Sequence, residues 1–241
     1  MNILIACEES QRVCAAFREQ GHAAYSCDIQ DCSGGHPEWH IKGDVLRYLN
    51  PIFFNCEFAD ELADYAIPFR TQDGFAHCVD KWDMIIAHPP CTYLTHAAVQ
   101  CHSLAKYSYA EVCKRTQKRL EAADFFMRIA LADCEKIAIE NPVGVMNTVY
   151  RKPDCIIHPW QFSNGPEDTE NYVTKRTCLW LKGLPVLRPL CAIGPDNEQL
   201  YGRNPKNGNL LCWTTAVSTD RQKNRSKTFP AIAAAMAYQW G

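Results

Sequence analysis

The sequence contains no long apolar run. No window approaches the roughly 18 to 20 uninterrupted apolar residues that cross a bilayer, and residues 1–10 reach two glutamates too early for a secretory signal peptide. These absences predict a cytoplasmic protein without a membrane partner. With 241 residues, 47% of them hydrophobic and 22% charged, the chain is long enough to bury a core, and we interpret residues 1–241 as a single domain.

The sequence also lacks an excess of either charge. A formal net charge of −2 argues against a broadly basic protein that wraps nucleic acid, although two clusters could each form a local basic face. The clusters are Lys114, Arg115, Lys118 and Arg119, and then Arg221, Lys223, Arg225 and Lys227. The fourteen cysteines are too few for a disulfide scaffold, and we expect most of them to be reduced, small apolar residues.

Short apolar runs alternate with helical patterns along most of the chain. Strands are predicted at 2–7, 22–28, 82–87 and 136–139, with a helix after the first strand and another at 109–134. The apolar stripe of the second helix consists of Leu120, Ala123, Phe126, Ile129 and Ala130. Such alternation is typical of βαβ units and predicts an α/β fold with a mostly parallel sheet, in which ligands bind at the carboxyl ends of the strands.

Three segments depart from this alternation. Residues 51–80 contain an Asp73-Gly74 turn between apolar stretches, which predicts a small β-hairpin insertion. Residues 186–223 are rich in proline, glycine and asparagine, and they are too few for an independent domain. Residues 224–241 end in an apolar stretch that predicts a C-terminal helix returning to the core.

Two tripeptides at strand ends carry the candidate chemistry. A Pro-Pro-Cys tripeptide ending at Cys91 follows one buried strand, and a Glu-Asn-Pro tripeptide beginning at Glu140 follows another. Parallel strands bring their carboxyl ends to one edge of a sheet, and the prolines restrict the backbone there. The pattern therefore predicts a nucleophilic thiol paired with a carboxylic acid.

In this order and placement, the motifs resemble those of the cytosine-5 DNA methyltransferases, in particular small phage and prophage enzymes with a reduced target-recognition region. The tripeptide at Cys91 resembles the Pro-Cys nucleophile motif, and the one at Glu140 resembles the Glu-Asn-Val motif. Residues 174–176 are a weaker match to the strand that grips the base, and residues 226–236 resemble the closing motif. The resemblance covers nearly the whole chain and implies a Rossmann-like S-adenosylmethionine-dependent methyltransferase fold, with 186–223 as the recognition region.

The resemblance also implies a site for S-adenosylmethionine. Asp28 matches the acidic residue that holds the cofactor ribose, and Asp44 matches the one that meets its adenine. The family's glycine-containing first motif is replaced by residues 6–12, which contain no glycine; a carboxylate there could pair with the cofactor's ammonium group, with Glu8 and Glu9 as the two candidates. The predicted cofactor-binding residues are Cys7, Glu8, Glu9, Ser10, Asp28, Ile29, Asp44, Val45 and Pro89.

A covalent mechanism follows from the same resemblance. The C5 atom of cytosine is too weak a nucleophile to attack a methyl sulfonium, so the Cys91 thiolate first adds at C6. Glu140 relieves the resulting charge by donating to N3 if burial raises its pKa, and Arg176 holds the carbonyl oxygen. The partner would be DNA, either single-stranded or a duplex from which the base is flipped.

Other interpretations of the sequence stay open. Cys27, Cys32, His36 and His40 have the residue types and a tolerable spacing for a zinc site, although our prediction carries no metal. The same loop could instead line the entrance of the active site. The small recognition region also permits RNA or a free pyrimidine nucleotide as the substrate. Outside enzymes, the alternative is a catalytically silent nucleic-acid-binding protein, and the oligomeric state is left open.

Overall fold

The computed structural model describes residues 1–53, 65–96, 102–203, 205, 208–209 and 227–241. The strands in these ranges are β1 (Asn2–Ala6), β2 (Ala23–Asp28), β3 (His40–Lys42), β4 (Ile52–Phe53), β5 (Tyr65–Arg70), β6 (Ala76–Val79), β7 (Met84–Ala87), β8 (Lys136–Pro142), β9 (Cys155–Ile157) and β10 (Thr177–Lys182). The α-helices are α1 (Arg12–Glu19), α2 (Tyr109–Ala130), α3 (Met146–Val149), α4 (Asn197–Tyr201) and α5 (Pro230–Trp240). None of the helices in the described ranges is both long and apolar enough to cross a membrane.

A seven-stranded sheet forms the centre of the fold. Its order is β3-β2-β1-β7-β8-β10-β9, in which the first five strands are parallel to one another and β10 is antiparallel to both of its neighbours. The predicted α/β fold with a mostly parallel sheet is confirmed, and it is compatible with a Rossmann-like arrangement. The strand order reverses between β1 and β7, and sheets of this kind bind ligands beyond the carboxyl ends of the strands at such a switch point.

Alternate residues of the central strands pack into two separate cores. Ile3 and Ile5 of β1 belong to the core formed with α1 and α5, whereas Leu4 and Ala6 belong to the core formed with α2. All four side chains are fully buried, as expected for a strand that is covered on both faces. Helices α1 and α5 therefore cover one face of the sheet, and α2 covers the other.

Strand β8 extends beyond its predicted end at Ile139 and includes Glu140. The extension results from antiparallel pairing with β10, in which Thr177 lies opposite Pro142. On its other side, β8 pairs with β7 only as far as the Ala87–Ile139 pair. Glu140 thus lies at the carboxyl edge of the parallel strands while its backbone is still held by β10.

Helix α2 begins where predicted but ends before Cys134. A capping box between Ser108 and Glu111 starts it. The prediction that Leu120 lies in the apolar stripe is wrong, since this side chain is 60% exposed and the buried residues begin at Phe126. The reason is length: 22 residues span about 33 Å of helix, whereas the four residues of β7 span about 13 Å, so the first half of α2 projects beyond the sheet.

The segment predicted as a hairpin insertion contributes a second, antiparallel sheet in the order β4-β5-β6. A turn at Asp73-Gly74 joins β5 to β6, and Gly74 has a positive φ of 98°, which glycine adopts without strain. Parts of three predicted segments lie outside the described residues, namely 54–64, then 204, 206–207 and 210–223, and finally 224–226. Helix α5 forms most of the described C-terminal segment and packs against α1 in the first core.

Close packing joins the loop after β7 to the loop after β8. Thr95 forms a β-bridge with Gly144, and the N–H group of Val145 donates to the Leu94 carbonyl at 2.8 Å. A Cβ atom on residue 144 would overlap the Leu94 carbonyl oxygen, so only glycine permits this approach. The loop that carries Cys91 is therefore anchored to the chain that follows Glu140.

Candidate active site

A cleft opens at the switch point between β1 and β7. It is lined by residues from the loop after β1, the end of β2, the position after β7 and the segment before α5. These residues are Cys7, Glu8, Glu9, Ser10, Asp28, Gln30, His88, Lys227 and Thr228. Five of the predicted cofactor-binding residues are thus brought together, and the wall contains three carboxylates.

The loop after β1 makes its turns without glycine. Cys7 and Gln11 have φ values of 60° and 58°, in the left-handed region that costs an ordinary residue about 1 to 2 kcal/mol. Gln11 offsets this strain with two hydrogen bonds, donating from Nε2 to the His36 carbonyl at 2.7 Å and accepting the His36 N–H at 3.0 Å. Gly34 allows the close approach, because a Cβ there would overlap the Gln11 side chain. The backbone therefore bends in the absence of a glycine motif.

Glu8 caps helix α1 from inside the protein. Its buried carboxylate accepts the N–H groups of Val13 at 2.7 Å and Cys14 at 3.1 Å. Burial raises the pKa of Glu8, against the opposing effects of the His88 charge and the two backbone hydrogen bonds. In dinucleotide-binding folds, this helix N-terminus receives the pyrophosphate. Here the protein's own carboxylate occupies it.

Glu9 and Asp28 are the other two carboxylates of the cleft. Glu9 accepts a hydrogen bond from the Ser33 hydroxyl, and Asp28 accepts the N–H group of Gln30 at 2.9 Å. Neither forms an ion pair with a residue that the structure describes. Because both oxygens of Glu8 are used at α1, we interpret Glu9 as the better partner for a ligand cation.

The other predicted cofactor residues after β2 and β3 lie beside the cleft. Asp44 is exposed and caps a short 3₁₀ helix by accepting a backbone N–H two residues on. Burial raises the pKa of the Cys7 thiol, and the charges of Asp28 and Asp44 raise it further. Both carboxylates are therefore near enough to Cys7 to influence its ionisation. Ile29 is 74% exposed, and Val45 is buried in the core with α2; neither side chain lines the cleft among the described residues.

The Cys91 loop and Glu140 start from adjacent strand ends. The parallel register of β7 and β8 places His88 beside Glu140. One residue further along, the Asn141 side chain donates to the carbonyl of buried Pro89 at 2.8 Å. Cys91 is partly buried. Backbone register and a side-chain hydrogen bond thus tie the candidate nucleophile to the strand of the candidate acid.

Glu140 forms a buried ion pair with His88, a residue that the sequence analysis did not single out. Glu140 Oε2 lies 2.8 Å from His88 Nδ1, and the side chains are 12% and 8% exposed. Burial alone would raise the pKa of Glu140, but the charge of Lys175 and the hydrogen bond and charge of His88 lower it to about 2. Burial would lower the pKa of His88, yet Glu140 raises it above its usual value. The condition under which Glu140 itself would be the acid, a pKa raised by burial, is therefore not met, and the shared proton belongs to His88.

Lys175, the neighbour of the predicted base-holding residue Arg176, is the lysine whose charge acts on Glu140. Leu179 lies opposite Glu140 in the register of β10 and β8, so side-chain alternation puts Lys175 on the face of Glu140 and Arg176 on the other. Arg176 is exposed, whereas Lys175 lies 5.5 Å from the Phe229 ring centroid. The two-residue period of side chains along a strand could have pointed to Lys175. The position of His88, directly before two prolines at a strand end, could have pointed to that residue.

The zinc-like set of residues is engaged in other contacts. His40 Nδ1 lies 2.8 Å from Ser26 Oγ, and its Nε2 lies 2.9 Å from a backbone carbonyl oxygen. The His36 ring stacks on Trp39 at 3.7 Å, and Cys27 is buried in the core. In the part of the chain that the structure describes, no three or more His, Cys, Asp or Glu side chains are grouped to hold a metal ion. These contacts favour a role for the loop in shaping the edge of the cleft.

Replacing Glu8 with alanine is expected to lower the free energy of unfolding by about 1 to 3 kcal/mol, because two buried N–H groups lose their acceptor. Glu9→Ala is the matched control and should change it by less than about 0.5 kcal/mol, since its carboxylate bonds only a hydroxyl at the loop surface. Urea unfolding of the cofactor-free protein measures both values. Equal losses would show that Glu8 does not support α1.

Replacing Glu140 with glutamine is expected to lower the pKa of His88, because burial and the Lys175 charge are then opposed only by the charge of Glu8. An NMR titration of the imidazole signals measures this pKa. His22, whose pKa is lowered by burial and the N-terminal charge, serves as the internal control and should not change. An unaltered His88 pKa in the variant would contradict the ion pair.

The same pair sets a pH dependence of stability. The lowered pKa of Glu140 gives a contribution that is present above its ordinary value of 4.5 and is lost as the pH falls towards about 2. The raised pKa of His88 gives a contribution that is complete below 6.5 and is lost as the pH rises through the raised value. Both contributions are therefore present between pH 4.5 and 6.5, and Glu140→Gln should reduce stability most in that window.

Comparisons with known proteins assign no family to this arrangement. No model of a known protein family matches the chain, and no curated protein sequence matches it. The interpretation of the cleft, the Cys91 loop and the buried ion pair therefore depends on their own geometry and on the motifs they carry.

Proposed function

We propose that this protein transfers a methyl group from S-adenosylmethionine to C5 of cytosine in DNA, through a covalent adduct between Cys91 and C6 of the base. One observation carries the proposal: the loop of Cys91 is fastened to β8 beside the charged pair of Glu140 and His88, at the mouth of an acidic cleft. The resemblance of these motifs to the cytosine-5 DNA methyltransferases supports the same assignment, including the methyltransferase form of the Rossmann-like fold.

The cleft suits a cationic cofactor. Three carboxylates line it against one lysine and one histidine, and the N-terminus of α1, where a phosphate would bind, is occupied by Glu8. Glu9 would pair with an ammonium group, and Asp28 at the end of β2 would accept ribose hydroxyls. When bound, S-adenosylmethionine supplies an electrophilic methyl group on a positively charged sulfur, and it carries no phosphate that the carboxylates would repel.

Cys91 acts on the base. Its thiolate adds to C6, and the electrons of the C5–C6 double bond move towards N3 and the carbonyl oxygen, which makes C5 nucleophilic. Once C5 carries the methyl group, a water molecule takes the C5 proton, the S–C6 bond breaks to release the thiolate, and N3 returns its proton through Glu140 to His88, which restores the aromatic ring. The prolines before Cys91 and the anchored loop after it hold the sulfur in place during both steps.

The Glu140–His88 pair supplies a proton to N3. Since Glu140 is ionised and His88 holds the proton, Glu140 works as a relay: it first takes the Nδ1 proton of His88, which becomes neutral, and then passes that proton to N3 and is ionised again. Lys175, whose charge acts on Glu140, would stabilise the negative charge that develops on the base while the thiolate adds. This division of roles differs from that of a carboxylic acid with a raised pKa, and it needs only groups that the structure brings together.

Transfer of radiolabel from S-adenosylmethionine tests the proposal, with duplex DNA, single-stranded DNA, RNA and dCMP as separate substrates. The wild-type protein should label DNA, and Cys91→Ala should abolish transfer while its affinity for the cofactor, measured by calorimetry, stays the same. Glu140→Gln should slow transfer by a factor on the order of 100 to 10,000. Cys78→Ser, at an exposed cysteine of the second sheet, is the control and should keep full activity.

Three outcomes would change the assignment. Turnover in Cys91→Ala would contradict the covalent mechanism. Label found only in RNA or only in dCMP would replace DNA with one of the alternative substrates. Cofactor binding without transfer to any of the four substrates would favour a catalytically silent binding protein.

A further inference from the structure

The first half of α2 carries a cluster of cations outside the core. Lys114, Arg115, Lys118 and Arg119 lie within two turns of the helix, before the first buried residue at Phe126. None of the four forms an ion pair with a residue that the structure describes. Four neighbouring positive charges on one stretch of helix repel one another and attract an anion.

The cluster borders an open, shallow concave site beside the helix. The site, here called the basic pocket, is lined by Tyr93, Tyr107, Glu111, Lys114, Arg115 and Lys118. The Arg115 guanidinium lies 5.9 Å and the Lys118 ammonium 5.5 Å from the Tyr93 ring centroid. Arg119 Nε donates to the Tyr93 carbonyl at 3.2 Å. Three of the four cations are therefore gathered around one tyrosine.

Two arginine donors in and beside this pocket have no acceptor. Arg115 Nε and Arg119 Nη2 are buried without a hydrogen-bond partner in the described part of the chain. The carboxylate of Glu111 is already used, since its hydrogen bonds to Ser108 cap the helix and lower its pKa. A buried donor without an acceptor costs free energy, and a bound anion would supply the acceptors.

The basic pocket lies on the same edge of the sheet as the candidate active site. Tyr93 follows Cys91 by two residues, within the turn that the Cys91 carbonyl closes by accepting the Leu94 N–H group at 3.0 Å. Helix α2 connects the carboxyl end of β7 to the amino end of β8, so its first half begins at the edge where Glu140 lies.

We propose that the basic pocket binds the phosphates of a polynucleotide strand next to the base that Cys91 attacks. The stretch from Lys114 to Arg119 covers about 8 Å of helix axis, which is more than one phosphate occupies and comparable to about two phosphates of one strand at 3.4 Å each. A polynucleotide therefore satisfies these cations better than a free nucleotide does. This inference depends on the proposed function, because Cys91 defines which base is held.

Fluorescence anisotropy with labelled duplex and single-stranded oligonucleotides tests the inference. Lys114→Gln/Lys118→Gln should weaken binding on the order of tenfold for each lost contact at 0.1 M salt, and should make the dependence of log K on log salt less steep by about one unit per contact. Lys81→Gln/Lys152→Gln removes two exposed lysines that precede β7 and β9 at the opposite edge of the sheet. This control should bind as the wild-type protein does.

The outcomes separate this inference from the proposed function. Unchanged affinity and salt dependence in Lys114→Gln/Lys118→Gln would overturn the inference while DNA methylation could still stand. A wild-type protein that binds no oligonucleotide but methylates dCMP would overturn it too. A third outcome is that the wild-type protein binds oligonucleotides, the variant loses this binding, and neither protein transfers a methyl group. That result would support the basic pocket and refute the proposed methyltransferase activity. All lysines to be replaced are exposed, and thermal melting by circular dichroism verifies that each variant is folded.

Discussion

The buried ion pair between Glu140 and His88 is the interaction on which the candidate site depends. Removing two charges from water is costly, and the cost is met only when geometry and further partners are favourable. The partners here come from three segments, since the residue after β7 is His88, β8 supplies Glu140 and the segment before β10 supplies Lys175. The position of the Cys91 loop depends on this pair, because the loop begins directly after His88 and is hydrogen-bonded to the chain that follows Glu140.

The distribution of charge around the carboxyl edge is concealed by the nearly neutral composition. The formal net charge of −2 is a sum over the whole chain, and that sum includes both an acidic cleft at β1 and β2 and a basic pocket on α2. In the proposed function, the acidic cleft would hold the cationic cofactor and the basic pocket the anionic polymer, and the Cys91 loop lies between the strands of the first and the helix of the second. Opposite fields of this kind direct each ligand to its own side of the nucleophile.

Much of the fold could be predicted from local patterns, because apolar runs and strand-end motifs depend on neighbouring residues. The strands of β1, β2 and β7 and the placement of Asp28 and Glu140 at one edge belong to this part. The extension of β8 could not be predicted, since it depends on pairing with β10 more than thirty residues away. The exposure of Leu120 depends on how far the sheet reaches under α2. The pKa of Glu140 depends on His88 and Lys175, which are distant in sequence, so residue type and burial alone gave the wrong direction.

The most direct test of the covalent mechanism is the mass of the protein after incubation with S-adenosylmethionine and oligonucleotides that contain 5-fluorocytosine. Fluorine at C5 does not leave as a proton does, so the S–C6 bond is retained after methyl uptake. The mechanism predicts a protein–DNA adduct that peptide mapping locates at Cys91 and that Cys91→Ala abolishes. Methylation of unmodified DNA by a protein that forms no adduct, or an adduct on another cysteine, would contradict it.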